Sequence, residues 1–329
     1  MSKPRILVVG SFVMDQIAVT SVFPRQGQTV LGSSFRKAPG GKGANQAVQA
    51  ARLGADVTMV GKLGHDANGQ EMLRVCRDAG IRTEHVLYDS AESSGCAVII
   101  LEQRTGKSAQ NRIIVIPGAN MTITPEEVAF LKEGIRAYDL VMLQLEIPMQ
   151  INTLVAQYAH EAGVPVMLNS APSAPLPDEL LSCLTYISPN EHEAADLTGI
   201  PIRRTEGGIV RADVDAAAAV LLEKGIENVL ITLGEDGAAL YNRSGSYYSP
   251  CCSGITAVDP TAAGDSFVAA FCTGAACGWS WEDTLLFANH TAAVTVSGMG
   301  AMPSLPTLER VEALLLQRAG RLPDTARLK

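Results

Sequence analysis

The sequence predicts an α/β protein built on a mostly parallel sheet, and three observations carry that prediction. Apolar runs suited to buried strands recur along the chain, and helical patterns lie between many of them. The hydrophobic material is aliphatic: hydrophobic residues make up 47% of the chain and aromatic residues only 5%. Val, Leu, Ile and Ala are the usual filling between helices and a sheet covered on both faces.

The elements follow in order. Strands are expected at 6–9, 57–60, 140–145, 164–168, 184–187 and 229–233. Ala44, Ala47, Val48 and Ala51 recur at i, i+3, i+4 and i+7, and Gly54 then ends that helix. Residues 211–224 and 283–296 also read as helices. Strands alternating with helices imply right-handed crossovers and a parallel sheet. Two regions break the alternation. Residues 16–38 and 94–116 hold strand-like pieces ("QIAVTSVF", "TVLGSSFRKA", "GCAVIILEQ", "NRIIVIPGAN") with no helix between them. They read as antiparallel, and they could meet as one small sheet inserted into a single domain spanning 1–329. Such an appendage could serve as a lid over a cleft or as a dimer surface.

Composition bounds the function. A net charge of −8 argues against a nucleic-acid or membrane-surface role, although a local pocket can still reverse the sign for an anionic ligand. Seven cysteines without a CxxC pair fit a reducing cytosol, so the expected location is cytoplasmic. Cys251 and Cys252 read as two small residues at a strand end. The N-terminal "MSKPRILVVG" is too short for a signal peptide or a membrane span.

One stretch suggests chemistry. In "AVDPTAAGDSFVAAF", Ala262, Ala263 and Gly264 precede a lone acid, Asp265, before a greasy run. If a helix runs from Ser266, the residues before it present free backbone N–H groups with the positive end of the helix dipole. Such small residues let a phosphate touch the backbone. Asp265 would repel that phosphate, but could take a proton from a hydroxyl attacking it, which suits phosphoryl transfer. The alternative is that Asp265 merely caps a helix.

A second stretch, "APGGKGANQAVQAARLG", allows close backbone approach at Gly40, Gly41 and Gly43. It also supplies charge at Lys42 and an amide at Asn45 on a first helical turn. It is not a Walker A loop. The one GKS, Gly106-Lys107-Ser108, has Leu101 where the first glycine should stand and is rejected as a phosphate loop.

Together, Gly-Gly-Lys-Gly-Ala-Asn-Gln and Asp-Pro-Thr-Ala-Ala-Gly-Asp resemble the ribokinase branch of the ribokinase-like (pfkB) carbohydrate kinases. "VVGSFVMD", "GHDANG", "LQLE", "LNSAPS", "SPNEHEAADLTG", "ITLGEDGA" and "FANHTAAVTVSGMGAMPS" follow in that family's order, over about residues 5–315. The resemblance implies a three-layer α/β/α sandwich with a small antiparallel β lid. It implies a kinase acting on the primary hydroxyl of a pentose, ribose or 2-deoxyribose. Its cofactors would be ATP, Mg²⁺ and an activating K⁺, and it would be a homodimer formed through the lid.

Residue by residue, Asp265 would be the base, and the backbone of Ala262, Ala263 and Gly264 the anion hole. Asp15, Gly41, Lys42, Gly43, Asn45 and Glu146 would bind the sugar. Asn190, Thr232, Gly234, Gly237 and Asn289 would bind the nucleotide, and Glu193 would act on Mg²⁺ through water. Asp259, Thr261, Thr295, Gly298, Gly300 and Ser304 would surround K⁺. Read alone, Asn190 and Glu193 form a capping box, Asp15 a turn, Glu146 a strand-end charge and His290 a helix-surface residue.

The chain departs from the pattern at Val13. Ribokinases carry Asn there, two residues before the sugar-binding Asp. Valine cannot bond a hydroxyl, so the expectation is relaxed or redirected specificity toward 2-deoxyribose; the alternative is that Val13 only fills space. Rival readings are a ketohexose or nucleoside kinase, and a sugar-responsive binding protein without catalysis.

Overall fold

A computed structural model describes residues 2–103 and 110–329, so Gly106-Lys107-Ser108 lies outside the described residues. Among the described residues the strands are, in chain order, β1 (Arg5–Val9), β2 (Val13–Thr20), β3 (Gly32–Gly40), β4 (Asp56–Gly64), β5 (Val86–Asp89), β6 (Gly95–Glu102), β7 (Gln110–Ile116), β8 (Leu140–Gln144), β9 (Val166–Asn169), β10 (Tyr186–Ile187), β11 (Arg204–Thr205), β12 (Gly208–Ile209), β13 (Asn228–Thr232), β14 (Ala238–Asn242) and β15 (Gly245–Ser249). The main sheet has the order β15-β14-β13-β10-β9-β8-β1-β4-β5. It is parallel from β13 to β5, and β14 and β15 close one edge in antiparallel fashion.

Strand β1 shows why the fold has three layers. Ile6 and Val8 belong to one core cluster, with Phe12, Met59, Phe271 and Phe287, while Leu7 and Val9 belong to the other, with Leu143, Val155 and Leu221. Alternate residues point to opposite faces, and both faces are buried. The helices Lys42–Arg52, Ala67–Asp78, Ala263–Cys277 and Trp281–Val296 cover the first face. Met149–Ala162 and Arg211–Glu223 cover the second. All seven cysteines are free thiols, and among the described residues no helix is long and apolar enough to cross a membrane.

The two irregular regions do meet, in a separate sheet of order β3-β2-β6-β7. Each region is an antiparallel hairpin, and the inner strands β2 and β6 pair in parallel, with Asp15 opposite Ala97. Both hairpins leave the body at the same end of the main sheet, so their outgoing strands run the same way. Strand β2 begins at Val13, three residues earlier than the sequence suggests, which puts Asp15 inside a strand rather than in a turn.

The buried Asn120 clasps the base of this lid. Its Oδ1 accepts from the Phe12 amide at 2.9 Å, and its Nδ2 donates to the carbonyls of Phe12 at 2.8 Å and Pro117 at 2.9 Å. One side chain thus ties the entry of β2 to the exit of β7.

Candidate active site

The helix carrying Asp265 spans Ala263–Cys277, three residues longer at its start than expected. It can start there because Ala262 adopts a left-handed conformation, φ 62°, and turns the chain abruptly into the helix. Asp265 is therefore in the first turn and caps nothing; the N-cap is Ala262, which has no side-chain cap bond. The Ala263 amide donates to the Pro260 carbonyl at 3.1 Å, and the Ser266 amide to Ala262. Among the described residues nothing accepts from the Gly264 or Asp265 amides, the orphan donors of a helix start.

Asp265 is buried and held by two amides. Asn45 Nδ2 donates to Oδ2 at 2.8 Å and Gln46 Nε2 to Oδ1 at 3.1 Å. Both come from the first turn of the helix Lys42–Arg52, which packs against the Asp265 helix. Asn45 Oδ1 is buried without a hydrogen-bond partner.

That first turn lies hard against the start of the lid. Gly41 has φ 92°, and a Cβ on it would sit 2.6 Å from the Val13 nitrogen; one on Gly43 would sit 2.4 Å from the Ser11 nitrogen. Only glycine permits both approaches. The Gly43 amide donates to Ser11 Oγ at 3.2 Å, the Ser11 hydroxyl donates to Glu146, and the Lys42 amide donates to the same Glu146 oxygen at 2.9 Å. Asp15 faces this group. Burial first, and the like charge of Glu146 second, push its carboxyl up to about 6. Burial of the Lys42 ammonium would favour its neutral form, but the charges of Asp265, Glu146 and Glu193 outweigh that and hold its pKa above the ordinary value. Val13, 6% exposed, pairs with Gly40 and Gly95 at the lid base.

A cleft of about 240 Å³ opens beside Asp265. Lys42, Asn169, Ser188, Asn190, Glu193 and Gly264 are among the residues that line it, with Ala262 and Thr232. Asn190 and Glu193 do form a capping box: the Asn190 side chain accepts from the amides of His192 and Glu193, and Glu193 accepts from the Asn190 amide. The cap also fixes both side chains at the cleft wall. Burial raises the Glu193 pKa, only partly offset by the Asn190 amide and Lys42.

Beyond Thr232 the chain turns through Gly234 and Gly237. Gly237 has φ 92°, and a Cβ there would sit 2.1 Å from the Ser249 carbonyl oxygen. Asn289 holds the same Ser249, donating to its carbonyl at 3.2 Å and its hydroxyl at 2.8 Å. His290 is not on the surface as expected. It is buried, its Nδ1–H donates to the Leu286 carbonyl at 2.8 Å, and burial lowers its pKa.

Asp259 ties the loop before Ala262 to the segment after the helix Trp281–Val296. One oxygen accepts from the Thr261 amide at 2.9 Å and hydroxyl at 2.6 Å, and the other from the Gly300 amide at 2.9 Å. Burial would raise its pKa, but these bonds and the charge of Arg36 hold it low. A Cβ on Gly298 would sit 2.9 Å from Ser304 Cβ, and the Ser304 and Thr295 hydroxyls donate back to backbone carbonyls.

The sequence reading overlooked Ser11, Gln46, Asn169 and Ser188. Gln46 adjoins Asn45, and Asn169 stands in the motif "LNSAPS"; their own amides are the available signal.

The pfkB family carbohydrate kinase profile matches residues 3–308. The chain is 39% identical over 310 residues to the ribokinase of Bacillus subtilis, covering 94% of this chain and 99% of that protein. It is 32% identical over 311 residues to the deoxyribokinase of Salmonella typhi, covering 94% and 98%. The structure of Arabidopsis thaliana ribokinase complexed with ribose and ATP superposes with a TM-score of 0.86 at 34% identity, covering 96% of this chain and 99% of that one. With the profile spanning nearly its whole length, the chain belongs to the pfkB family of carbohydrate kinases.

Proposed function

We propose that this protein is an ATP-dependent kinase that phosphorylates the primary hydroxyl of ribose or 2-deoxyribose. The observation that carries this is one arrangement. A buried carboxylate, Asp265, adjoins two unclaimed helix-start amides beside a cleft of about 240 Å³, and Lys42, which lines that cleft, leads on to the carboxylate pair Asp15 and Glu146 at the lid base.

Asp15 and Glu146 accept from the sugar hydroxyls, and Asn45 Oδ1 accepts another. The sugar's primary hydroxyl gives its proton to Asp265. Its oxygen then forms the bond to the γ-phosphorus, and the bond to the β,γ-bridging oxygen breaks, leaving ADP with that electron pair. The Gly264 and Asp265 amides and Lys42 meet the charge on the transferred group. Thr232, Gly234, Gly237 and Asn289 form the wall for the nucleotide.

Among the described residues no cluster of three His, Cys, Asp or Glu could hold a metal. Mg²⁺ usually keeps several waters, and Glu193 and Asn190 at the cleft wall would be its protein side. When bound, Mg²⁺ neutralises phosphate charge. Around Asp259 the remaining oxygens are neutral and the carboxylate is already engaged, a donor set suited to K⁺.

The homodimer is proposed to form through the lid. Strand β7 leaves Ile113, Ile114, Val115 and Ile116 exposed on both its faces, Ile114 at 64%, and Phe35 on β3 is 62% exposed. Light scattering on the purified chain tests this, and a monomer at micromolar concentration would refute it. A cytoplasmic location is proposed on the free thiols.

Initial rates on a panel including ribose, 2-deoxyribose, ketohexoses and nucleosides, with Mg²⁺ and with or without K⁺, test the activity. No pentose turnover would refute it. Val13→Asn should shift the ratio of kcat/KM toward ribose. An unchanged ratio would show that Val13 merely fills space.

A further inference from the structure

Gln46 donates to Asp265 but does not line the cleft. It is fully buried, and its amide belongs to a chain of side chains with a fixed direction. The Ser188 carbonyl can only accept, so Asn169 must present Nδ2 to it, at 2.9 Å. Asn169 then presents Oδ1 to Gln46, whose Nε2 donates to it at 3.2 Å. The same Nε2 donates to Asp265 Oδ1 at 3.1 Å. Gln46 Oε1 must therefore face the other way, where Gln144 Nε2 donates to it at 2.6 Å. A single backbone carbonyl thus decides which end of the Gln46 amide faces the carboxylate. Reversing the amide would set oxygen against oxygen at Asp265 and at Asn169.

The sequence makes room for this chain. A Cβ on Gly10 would sit 2.1 Å from Gln144 Oε1, so the glycine that ends β1 admits the Gln144 side chain. Gln144 and Gln46 are both fully buried, so water does not substitute for the link between them.

We propose that Gln46 is a positioning residue for phosphoryl transfer: with Asn169 and Gln144 it holds the Asp265 carboxylate in the orientation that receives the substrate's proton. This rests on Asp265 acting as the base. Asn45 fixes the second carboxylate oxygen, so the two amides together leave Asp265 no free rotation. Each oxygen keeps a lone pair for the substrate hydroxyl.

The test is Gln46→Met, which keeps length and removes the amide. The expected result is a fall in kcat of about 10- to 100-fold, the usual worth of a hydrogen bond to a charged group. KM for ATP should change less than about 2-fold, since Gln46 is not among the residues lining the cleft. A purely structural role would lower the unfolding midpoint without this split. Should Gln46→Met fail to fold, Gln144→Met takes its place; it removes the donor to Gln46 without touching Asp265, and kcat must still fall. Unchanged kcat in the folded variant overturns the proposal. Asp265→Asn is run alongside. If it keeps full activity, the base assignment falls and this proposal with it. If it is inactive while Gln46→Met is normal, only the Gln46 proposal falls.

Discussion

Replacing Asp15 by Asn should make the sugar-free protein more stable at pH 8. The folded carboxyl titrates near 6 because it is buried and faces Glu146, whereas an ordinary aspartate titrates at 3.8. The difference, about 2 units at 1.36 kcal/mol each, sets an upper bound of about 3 kcal/mol on the cost of carrying that charge. The sign follows from proton counting. Between pH 3.8 and 6 the folded protein binds more protons than the unfolded chain, so stability falls as pH rises through this window. Above 6 the full penalty is present, and below 3.8 it is gone. Asp15→Asn removes the charge, so its gain should be largest at pH 8 and shrink toward zero near pH 4. Urea unfolding of both proteins at pH 8, 6 and 4.5, without sugar, measures it. An equal difference at pH 8 and 4.5, or no gain at pH 8, would refute the reasoning. The variant should also lose about 100-fold or more in kcat/KM for the sugar, since an amide supplies one acceptor where the carboxylate supplied two.

Two further outcomes follow from close contacts. Gly237→Ala puts a Cβ against the Ser249 carbonyl at a φ that alanine resists, so the Asn289–Ser249 wall must shift. KM for ATP should rise by about tenfold or more while KM for the sugar holds, and equal KM values for ATP would contradict this. Asn120→Ala leaves the Phe12 amide and carbonyl without their side-chain partners in a buried place, and should destabilise the fold by about 2–5 kcal/mol in urea titrations. A loss below about 1 kcal/mol would mean that the clasp is dispensable.

The glycine-rich strings were readable because they encode backbone approach. Gly41, Gly43 and Gly237 each stand where a Cβ would strike backbone, and that need leaves a mark in a single sequence. The six inner strands of the main sheet were readable because burial on both faces leaves unbroken apolar runs, whereas β5, β14 and β15 at its edges are partly exposed and leave no such run. The amide chain behind Asp265 was not. Gln46 meets Gln144 across 98 positions and Asp265 across 219, and nothing local to a glutamine announces such partners. The parallel meeting of β2 and β6 was hidden for the same reason. Strand periodicity fixes which face a residue takes, not the neighbour's direction. The early helix start at Ala263 escaped because alanine rarely adopts the conformation that Ala262 takes.

The knot at the lid base has a mechanical consequence. The chain passes between body and lid four times, and the passages touch. A Cβ on Gly41 would meet Val13, one on Gly95 would meet Phe12 and Pro117, and one on Gly118 would meet Ser93, with Asn120 bolting the bundle together. Four passages pinned at one place would make that place the pivot of any swing of the lid. Strand β2 runs eight residues from that pivot, about 26 Å of arm, while Asp15 rides only about 7 Å out. A swing of about 10° then carries the tip through about 4–5 Å and Asp15 through about 1 Å. Under the proposed function, such a swing would clear the tip of the lid from the cleft while the Asp15 carboxylate hardly moves.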